Sequence, residues 1–173
     1  PSYLARVVQE QQITVLQFVP SMLQAFLDVD ESARCSSLKN VLAGGEALGN
    51  ALVRRFKARF PAVLLNNMYG PTESAVCTTM YRCDANFEGD PPIGRAMPNT
   101  RVYILDSQSE PVPIGVAGEL CVGGVQVARG YLNRPELTAE RFMASPFVEG
   151  DRLYKTGDLA RYLPDGNIEF LGR

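Results

Sequence analysis

Through the first half of this chain, short β-rich apolar runs alternate with stretches whose apolar residues recur at helical spacing, and near Asp90 the alternation stops. Residues 2–12 place Leu4, Val7 and Val8 on one face, which predicts a helix. Residues 13–19 are short and β-rich, closed by Pro20, and read as a buried strand. A second helix is expected over 21–29, with Met22, Ala25, Phe26 and Val29 on its apolar side. Residues 38–43 form a second apolar run, ended by Gly44-Gly45. Residues 47–60 then carry Leu48, Leu52, Phe56 and Phe60 along one stripe, and 63–65 supply a third strand. Arg54, Arg55 and Lys57 fall off that stripe and read as a solvated helix face. Such alternation specifies an α/β fold built on a largely parallel, helix-covered sheet.

Beyond Asp90, Pro and Gly punctuate β-like runs at 101–106, 118–122, 152–162 and 167–171. The only evident helix lies at 135–142, where Glu136 and Thr138 favour a helix start. The pattern suits a small antiparallel sheet, or a β-barrel-like subdomain, following the first unit. The junction is expected between Cys83 and Ile93, giving an α/β subdomain over 1–88 and a β-rich one over 89–173.

Composition removes several function classes. With 173 residues, 46% of them hydrophobic, the chain can bury a real core. A net charge of −2 argues against a general nucleic-acid binder or an anionic-membrane binder. No apolar run approaches the roughly 20 residues that span a bilayer. The first residues do not read as a signal peptide, and the absence of an initiator Met suggests an excised segment. Cys35, Cys77, Cys83 and Cys121 form no CxxC pair and there is no histidine, which argues against zinc. Scattered cysteines fit a reducing cytoplasm better than a disulfide scaffold. Without histidine, neither Ser-His-Asp nor Cys-His machinery can be assembled from this chain. Its chemistry must rest on carboxylates, hydroxyls, backbone amides, Lys or Arg.

Such groups collect where strands are expected to end, the place open α/β sheets bind ligands. The richest stretch is 66–74, Asn-Asn-Met-Tyr-Gly-Pro-Thr-Glu-Ser, which turns abruptly polar after an apolar run. Gly70 allows a close approach, and Pro71 suits the first position of a helix. Thr72 adds a hydroxyl, Glu73 a candidate magnesium ligand and Tyr69 a flat ring for stacking on a base. The stretch reads either as a phosphate site at a helix start or as a simple capped turn. Gln17, inside an otherwise apolar strand, needs a hydrogen-bond partner once buried, which structure or ligand can provide. The Gly44-Gly45 pair is a tight turn or a surface left open for a flat group. Residues 154–159 end a β-like run on a Gly157-Asp158 corner. That aspartate can take two hydrogen bonds from a ribose diol or simply form a turn, with Arg173 a phosphate or sugar contact or a surface charge. Segments 118–120 and 128–131 read as turn and sheet framework.

Taken together, NNMYGPTE at 66–73, GELCVGGVQVARGYLNRPELTAERF at 118–142 and YKTGDLARYLPDGNIEFLGR at 154–173 resemble the adenylation domains of non-ribosomal peptide synthetases. These belong to the adenylate-forming, AMP-binding superfamily. The resemblance covers essentially the whole chain in the family's order and spacing. It implies that Tyr69 stacks on adenine, with Asn67, Gly70 and the Gly44-Gly45 turn near the nucleotide. It assigns Thr72 to phosphate, Glu73 to Mg²⁺, Asp158 to the ribose hydroxyls, Phe170 to the nucleoside and Arg173 to ribose or phosphate. Gln17, Val41, Ala43, Met68, Val76 and Cys77 would line the amino-acid pocket. Gln126 stands where the family often has Gly, with no functional consequence expected.

The implied reaction joins an amino acid to ATP, giving aminoacyl-AMP and pyrophosphate, and then loads a phosphopantetheine thiol on a peptidyl carrier domain, alongside condensation domains. The uncharged pocket points to a neutral amino acid. The family's phosphate loop and amino-group anchor would lie upstream of Pro1, and its hinge and catalytic lysine beyond Arg173, so this chain alone is expected to be inactive. A fatty- or aryl-acid ligase fragment is the rival enzyme, and a non-catalytic nucleotide-binding or docking module the rival of another class.

Overall fold

β1 (Val15–Phe18), β2 (Asn40–Gly44) and β3 (Leu64–Tyr69) are parallel, with Phe18 in register with Ala43, and Ala43 with Asn67. The computed structural model describes residues 1–84 and 88–173, divided into two units: residues 1–68 with 81–91, and residues 69–80 with 92–173. The three strands frame the first unit; α1 (Ser2–Glu10) precedes β1, α2 (Pro20–Leu27) lies between β1 and β2, and α3 (Asn50–Arg59) lies between β2 and β3. Pro20 opens α2 as its first residue, where a fixed φ and a missing N–H are both tolerated. Alternate strand positions Val41, Ala43 and Leu65 share a core with Ala5, Val8, Phe26 and Phe56, all essentially inaccessible to solvent. Phe18 and Phe26 meet there at 5.2 Å between ring centroids. Each such aromatic contributes about 1.5–3 kcal/mol through burial.

Two expectations change in this unit. Val15 is 51% exposed and Gln17 lies on the open side of β1, which pairs only with β2 among the described residues. The strand is an edge strand rather than a buried one, so Gln17 faces solvent. β3 also runs four residues past Leu65. Asn66 and Asn67 continue it because their amides find partners: Asn66 Nδ2 donates to Asn40 Oδ1 at 2.7 Å, and Asn67 Nδ2 to the Pro91 carbonyl at 3.3 Å. Part of the expected junction, residues 85–87, lies outside the described residues.

In the second unit the first residues of β4 (Thr79–Arg82) pair with β5 (Arg95–Ala96), Thr79 facing Ala96. The main sheet is antiparallel throughout, in the order β10 (Ile168–Gly172), β9 (Arg152–Tyr162), β7 (Gly118–Gly124), β6 (Thr100–Leu105), with β8 (Phe142–Ala144) also paired to β9. The sheet stays open among the described residues: its end strands β6 and β10 do not pair to close a barrel. Ile104, Leu120, Val122, Ala160 and Ile168 supply its apolar face. α4 (Pro135–Arg141) begins on the proline, and Phe142 leaves it for β8.

β9 carries an irregularity that matters for the site. Glu119 pairs with Leu159 and Cys121 with Lys155, so Thr156, Gly157 and Asp158 stand opposite Leu120 alone. Gly157, at φ 74°, accommodates this bulge. The expected corner at Gly157-Asp158 is therefore a bulge inside a continuous strand.

Candidate functional site

The bulge presents Asp158, and the end of β3 presents Tyr69 to it. The Tyr69 hydroxyl donates to Asp158 Oδ2 at 2.6 Å, and Arg173 Nε donates to Oδ1 at 2.8 Å. Asp158 is held from behind as well: its N–H donates to Thr156 Oγ1 at 3.0 Å, and that hydroxyl donates to the Leu120 carbonyl at 2.7 Å. The aspartate side chain is only 7% exposed, against 75% for Arg173. Its oxygens keep lone pairs for further donors, because each carboxylate oxygen accepts two hydrogen bonds. Burial, then the bond to Asp158, pushes the Tyr69 phenol well above its ordinary range, so it remains a donor at neutral pH. The Phe170 ring lies 6.0 Å from the Tyr69 ring, tilted by 37°.

Past Tyr69 the chain makes a tight excursion. Thr78 N–H donates back to the Tyr69 carbonyl at 2.8 Å, closing a loop over residues 70–77. A Cβ on Gly70 would stand 2.5 Å from the Val76 carbonyl oxygen and 2.7 Å from the Thr78 nitrogen, so the closure requires glycine. The expected helix start is instead one 3-10 turn, Thr72–Ser74, with Pro71 as the extended residue before it. Ala75 and Val76, at φ 50° and 71°, prevent the turn from continuing. A three-residue turn has no helix dipole to offer phosphate. The turn is fixed by Ala128 N–H on the Glu73 carbonyl at 2.8 Å and by Gln126 Nε2 on Ser74 Oγ at 2.9 Å. Gln126, the one departure from the resembled pattern, therefore supports this turn directly.

Glu73 is the acidic group of the turn. Its Oε1 accepts the Tyr131 hydroxyl at 2.5 Å, and the Tyr154 hydroxyl lies 3.4 Å from that of Tyr131. Burial alone would raise the Glu73 carboxyl, but the hydrogen bond from Tyr131, with the nearby Tyr154 hydroxyl and the charge of Arg173, outweighs it and holds it below the usual range. Glu73 is thus ionised at neutral pH. The 128–131 segment, expected to be framework, supplies the residue that grips it.

A cleft of about 650 Å³ opens among Thr72, Glu73, Tyr131, Arg141, Tyr154 and Arg173, within the range of small-ligand sites. Asp158 is neutralised by Arg173, whereas Glu73 has no ion-pair partner among the described residues. Within the same set, Arg141 pairs only with its neighbour Glu140, at 3.2 Å. An ionised carboxylate with no ion-pair partner among the described residues, beside two guanidinium groups already paired with Asp158 and Glu140, suits a divalent cation. The donor set fits magnesium, which is bound through one or two carboxylates with phosphate oxygens and water. No cluster of three or more His, Cys, Asp or Glu exists among the described residues, so protein ligands alone do not make a metal cage.

The other candidate residues are spread more widely. Val41 and Ala43 are sealed within the core of the first unit, and Met68 is 8% exposed. The register puts Val41, Ala43 and Asn67 on one sheet face and Gln17 and Met68 on the other. Gly44 pairs with Met68, and a Cβ there would meet the Met68 carbonyl oxygen at 2.8 Å. Gly45, at φ 90°, turns the chain after β2. In the second unit Val76 is 56% exposed and Cys77 half-buried. The structure thus gathers Tyr69, Gly70, Thr72, Glu73, Asp158, Phe170 and Arg173 within one unit and adds Tyr131, Tyr154 and Arg141. The only local hint of Tyr131 is an aromatic hydroxyl after an Arg-Gly turn. No helix is long and apolar enough to cross a membrane among the described residues.

Comparison with known proteins gives a consistent result. A family model described as AMP-binding enzyme matches residues 1–132. Phosphinothricin tripeptide synthetase PhsB of Streptomyces viridochromogenes is 51% identical over 176 residues, covering 100% of this chain and 15% of that protein. Tyrocidine synthase 3 of Brevibacillus parabrevis is 47% identical over 173 residues, covering 100% of this chain and 3% of that protein. Among solved structures, PA1221, an NRPS protein containing adenylation and PCP domains, matches with a TM-score of 0.90 at 33% identity, over 98% of this chain and 35% of that one. The chain therefore spans only a small part of each of these relatives.

Proposed function

We propose that this chain, which belongs to the AMP-binding enzyme family, supplies the ribose- and magnesium-binding part of an amino-acid adenylation site in non-ribosomal peptide synthesis. The observation that carries this reading is Asp158, buried in a strand bulge and tied both to Tyr69 and to Arg173, the arginine that lines the cleft holding Glu73. Asp158 accepts the ribose hydroxyls, with Tyr69 and Phe170 offering aromatic faces for the base. The resemblance assigns Asn67 and the Gly44-Gly45 turn to the neighbourhood of the base, Thr72 to phosphate, and Arg173 to ribose or phosphate. Glu73 holds Mg²⁺, which neutralises phosphate charge when bound.

The residues present match the chemistry. An amino-acid carboxylate is ionised at neutral pH, with an α-carboxyl pKa of roughly 3.3–3.7. It needs no general base to attack the α-phosphate of ATP, which accords with a chain that contains no histidine. The new bond is carboxylate oxygen to α-phosphorus, the broken bond is that from α-phosphorus to the bridging oxygen, and pyrophosphate leaves with the electron pair. Positioning and charge stabilisation are what this chain contributes. Gln17, Val41, Ala43, Met68, Val76 and Cys77 carry no charge and favour a neutral amino-acid side chain. The aminoacyl group then passes to a phosphopantetheine thiol on a peptidyl carrier domain of the parent synthetase, beside its condensation domains. Dependence on ATP favours the cytoplasm as its site of action.

Amino-acid-dependent ATP–pyrophosphate exchange by the parent synthetase tests the reading. Exchange with one or a few neutral amino acids is expected. Exchange driven only by a fatty or aryl acid supports the rival ligase, and absence of Mg·ATP binding supports a non-catalytic module. The isolated chain is expected to give no exchange, and substantial exchange by it overturns that expectation.

A further inference from the structure

We propose that Tyr131 is a positioning residue that fixes the Glu73 carboxylate for Mg·ATP, an inference that rests on the nucleotide reading above. Glu73 sits on a three-residue 3-10 turn followed by two residues in the left-handed region, and it is only half-buried. A glutamate in such a place has several rotamers open to it. One strong O–H···O⁻ bond, the 2.5 Å contact from the Tyr131 hydroxyl, selects among them. Tyr131 is itself rigidly mounted. Its N–H donates to Thr138 Oγ1 at 2.9 Å, and that hydroxyl donates to the Arg134 carbonyl at 2.8 Å, on the first turn of α4. Its ring meets Phe142 edge-on at 5.5 Å. The backbone of the turn is anchored from the same segment, by Ala128 N–H on the Glu73 carbonyl. Residues 128–131 thus hold both the main chain and the side chain of the candidate metal ligand. A tyrosine serving only to pack would leave its hydroxyl indifferent to Glu73.

The test is Tyr131→Phe in the parent synthetase, which keeps the ring against Phe142 and deletes only the hydroxyl. Metal binding is read directly by Mn²⁺ electron paramagnetic resonance in the presence of ATP, and kinetically from the Mg²⁺ dependence of exchange. The half-saturating metal concentration is expected to rise about tenfold in both, by a larger factor than any fall in kcat. Melting without nucleotide should fall slightly, because the Tyr131 bond to Glu73 also stabilises the fold, and the metal shift should persist at temperatures where the variant is fully folded. Tyr154→Phe should give a smaller shift, because its hydroxyl lies beside that of Tyr131. Unchanged metal dependence in Tyr131→Phe, or a fall in kcat alone, overturns the proposal. If the unmutated synthetase binds no Mg·ATP, the nucleotide reading itself fails. If it binds and Tyr131→Phe matches it, only the positioning role fails.

Discussion

The Tyr69 hydroxyl reaches Asp158 Oδ2 at 2.6 Å across 89 residues of sequence. An aromatic ring and the carboxylate proposed to bind ribose are thereby fixed to one another within the protein itself. Placing a sugar and its base requires that relationship to be rigid, because their spacing is covalent.

Asp158→Asn tests the carboxylate itself. The amide keeps the size of the side chain but loses the charge that Arg173 matches. Hydrogen bonds to charged groups are worth about 1.5–3 kcal/mol, so affinity for both ATP and adenosine should fall tenfold or more in calorimetric titration. Equal loss for the two ligands marks ribose binding. A loss confined to ATP assigns Asp158 to phosphate instead.

Gly70→Ala should destabilise the fold. Its new Cβ would press on the Val76 oxygen and the Thr78 nitrogen, both backbone atoms that cannot swing aside. Overpacking of this kind costs about 1–3 kcal/mol, readable as a lower urea midpoint. A midpoint equal to that of the parent chain rejects the steric argument.

Thr156→Val should be costly although it preserves shape. It removes the donor to the Leu120 carbonyl and the acceptor for the Asp158 N–H, both buried. Leaving such groups unsatisfied costs about 1–3 kcal/mol. Denaturant unfolding measures that loss, and a change below about 0.5 kcal/mol would place it among ordinary surface substitutions.

The depressed Glu73 carboxyl makes a pH prediction. Its folded pKa lies below the ordinary 4.5, so its contribution to stability is present above that value and is lost as pH falls through the folded pKa. Glu73→Gln should flatten the acid limb of a melting-temperature profile and leave its shape near neutrality unaltered. Parallel acid limbs for the two proteins would contradict this.

Much of the fold is legible in the sequence because periodicity is local. Residues 152–162 read as one β run and β9 occupies that span. α4 begins on Pro135, where Glu136 and Thr138 announce a helix. β3 reads short because Asn66 and Asn67 are polar, and what keeps them in a strand, Asn40 and the Pro91 carbonyl, is distant in sequence. The demand placed on Gln17 holds only for a buried strand, and an edge position relieves it. Within the site, Tyr69, Glu73, Asp158 and Arg173 are visible through their chemistry. Tyr131 is not, because its importance lies in a hydroxyl that meets Glu73 58 residues away.

The bulge in β9 also constrains how this strand can change in length. Three residues stand where a regular ladder would have one, and the even-numbered positions Tyr154, Thr156, Asp158 and Ala160 stay buried on both sides of it. Losing one residue there would reverse the facing of everything downstream, sending Ala160 outward and Leu159 inward. Losing two would restore a flat ladder and preserve the core, but would withdraw the aspartate from Tyr69 and Arg173. Insertions and deletions in this segment are therefore tolerated in pairs by the fold and not at all by the site.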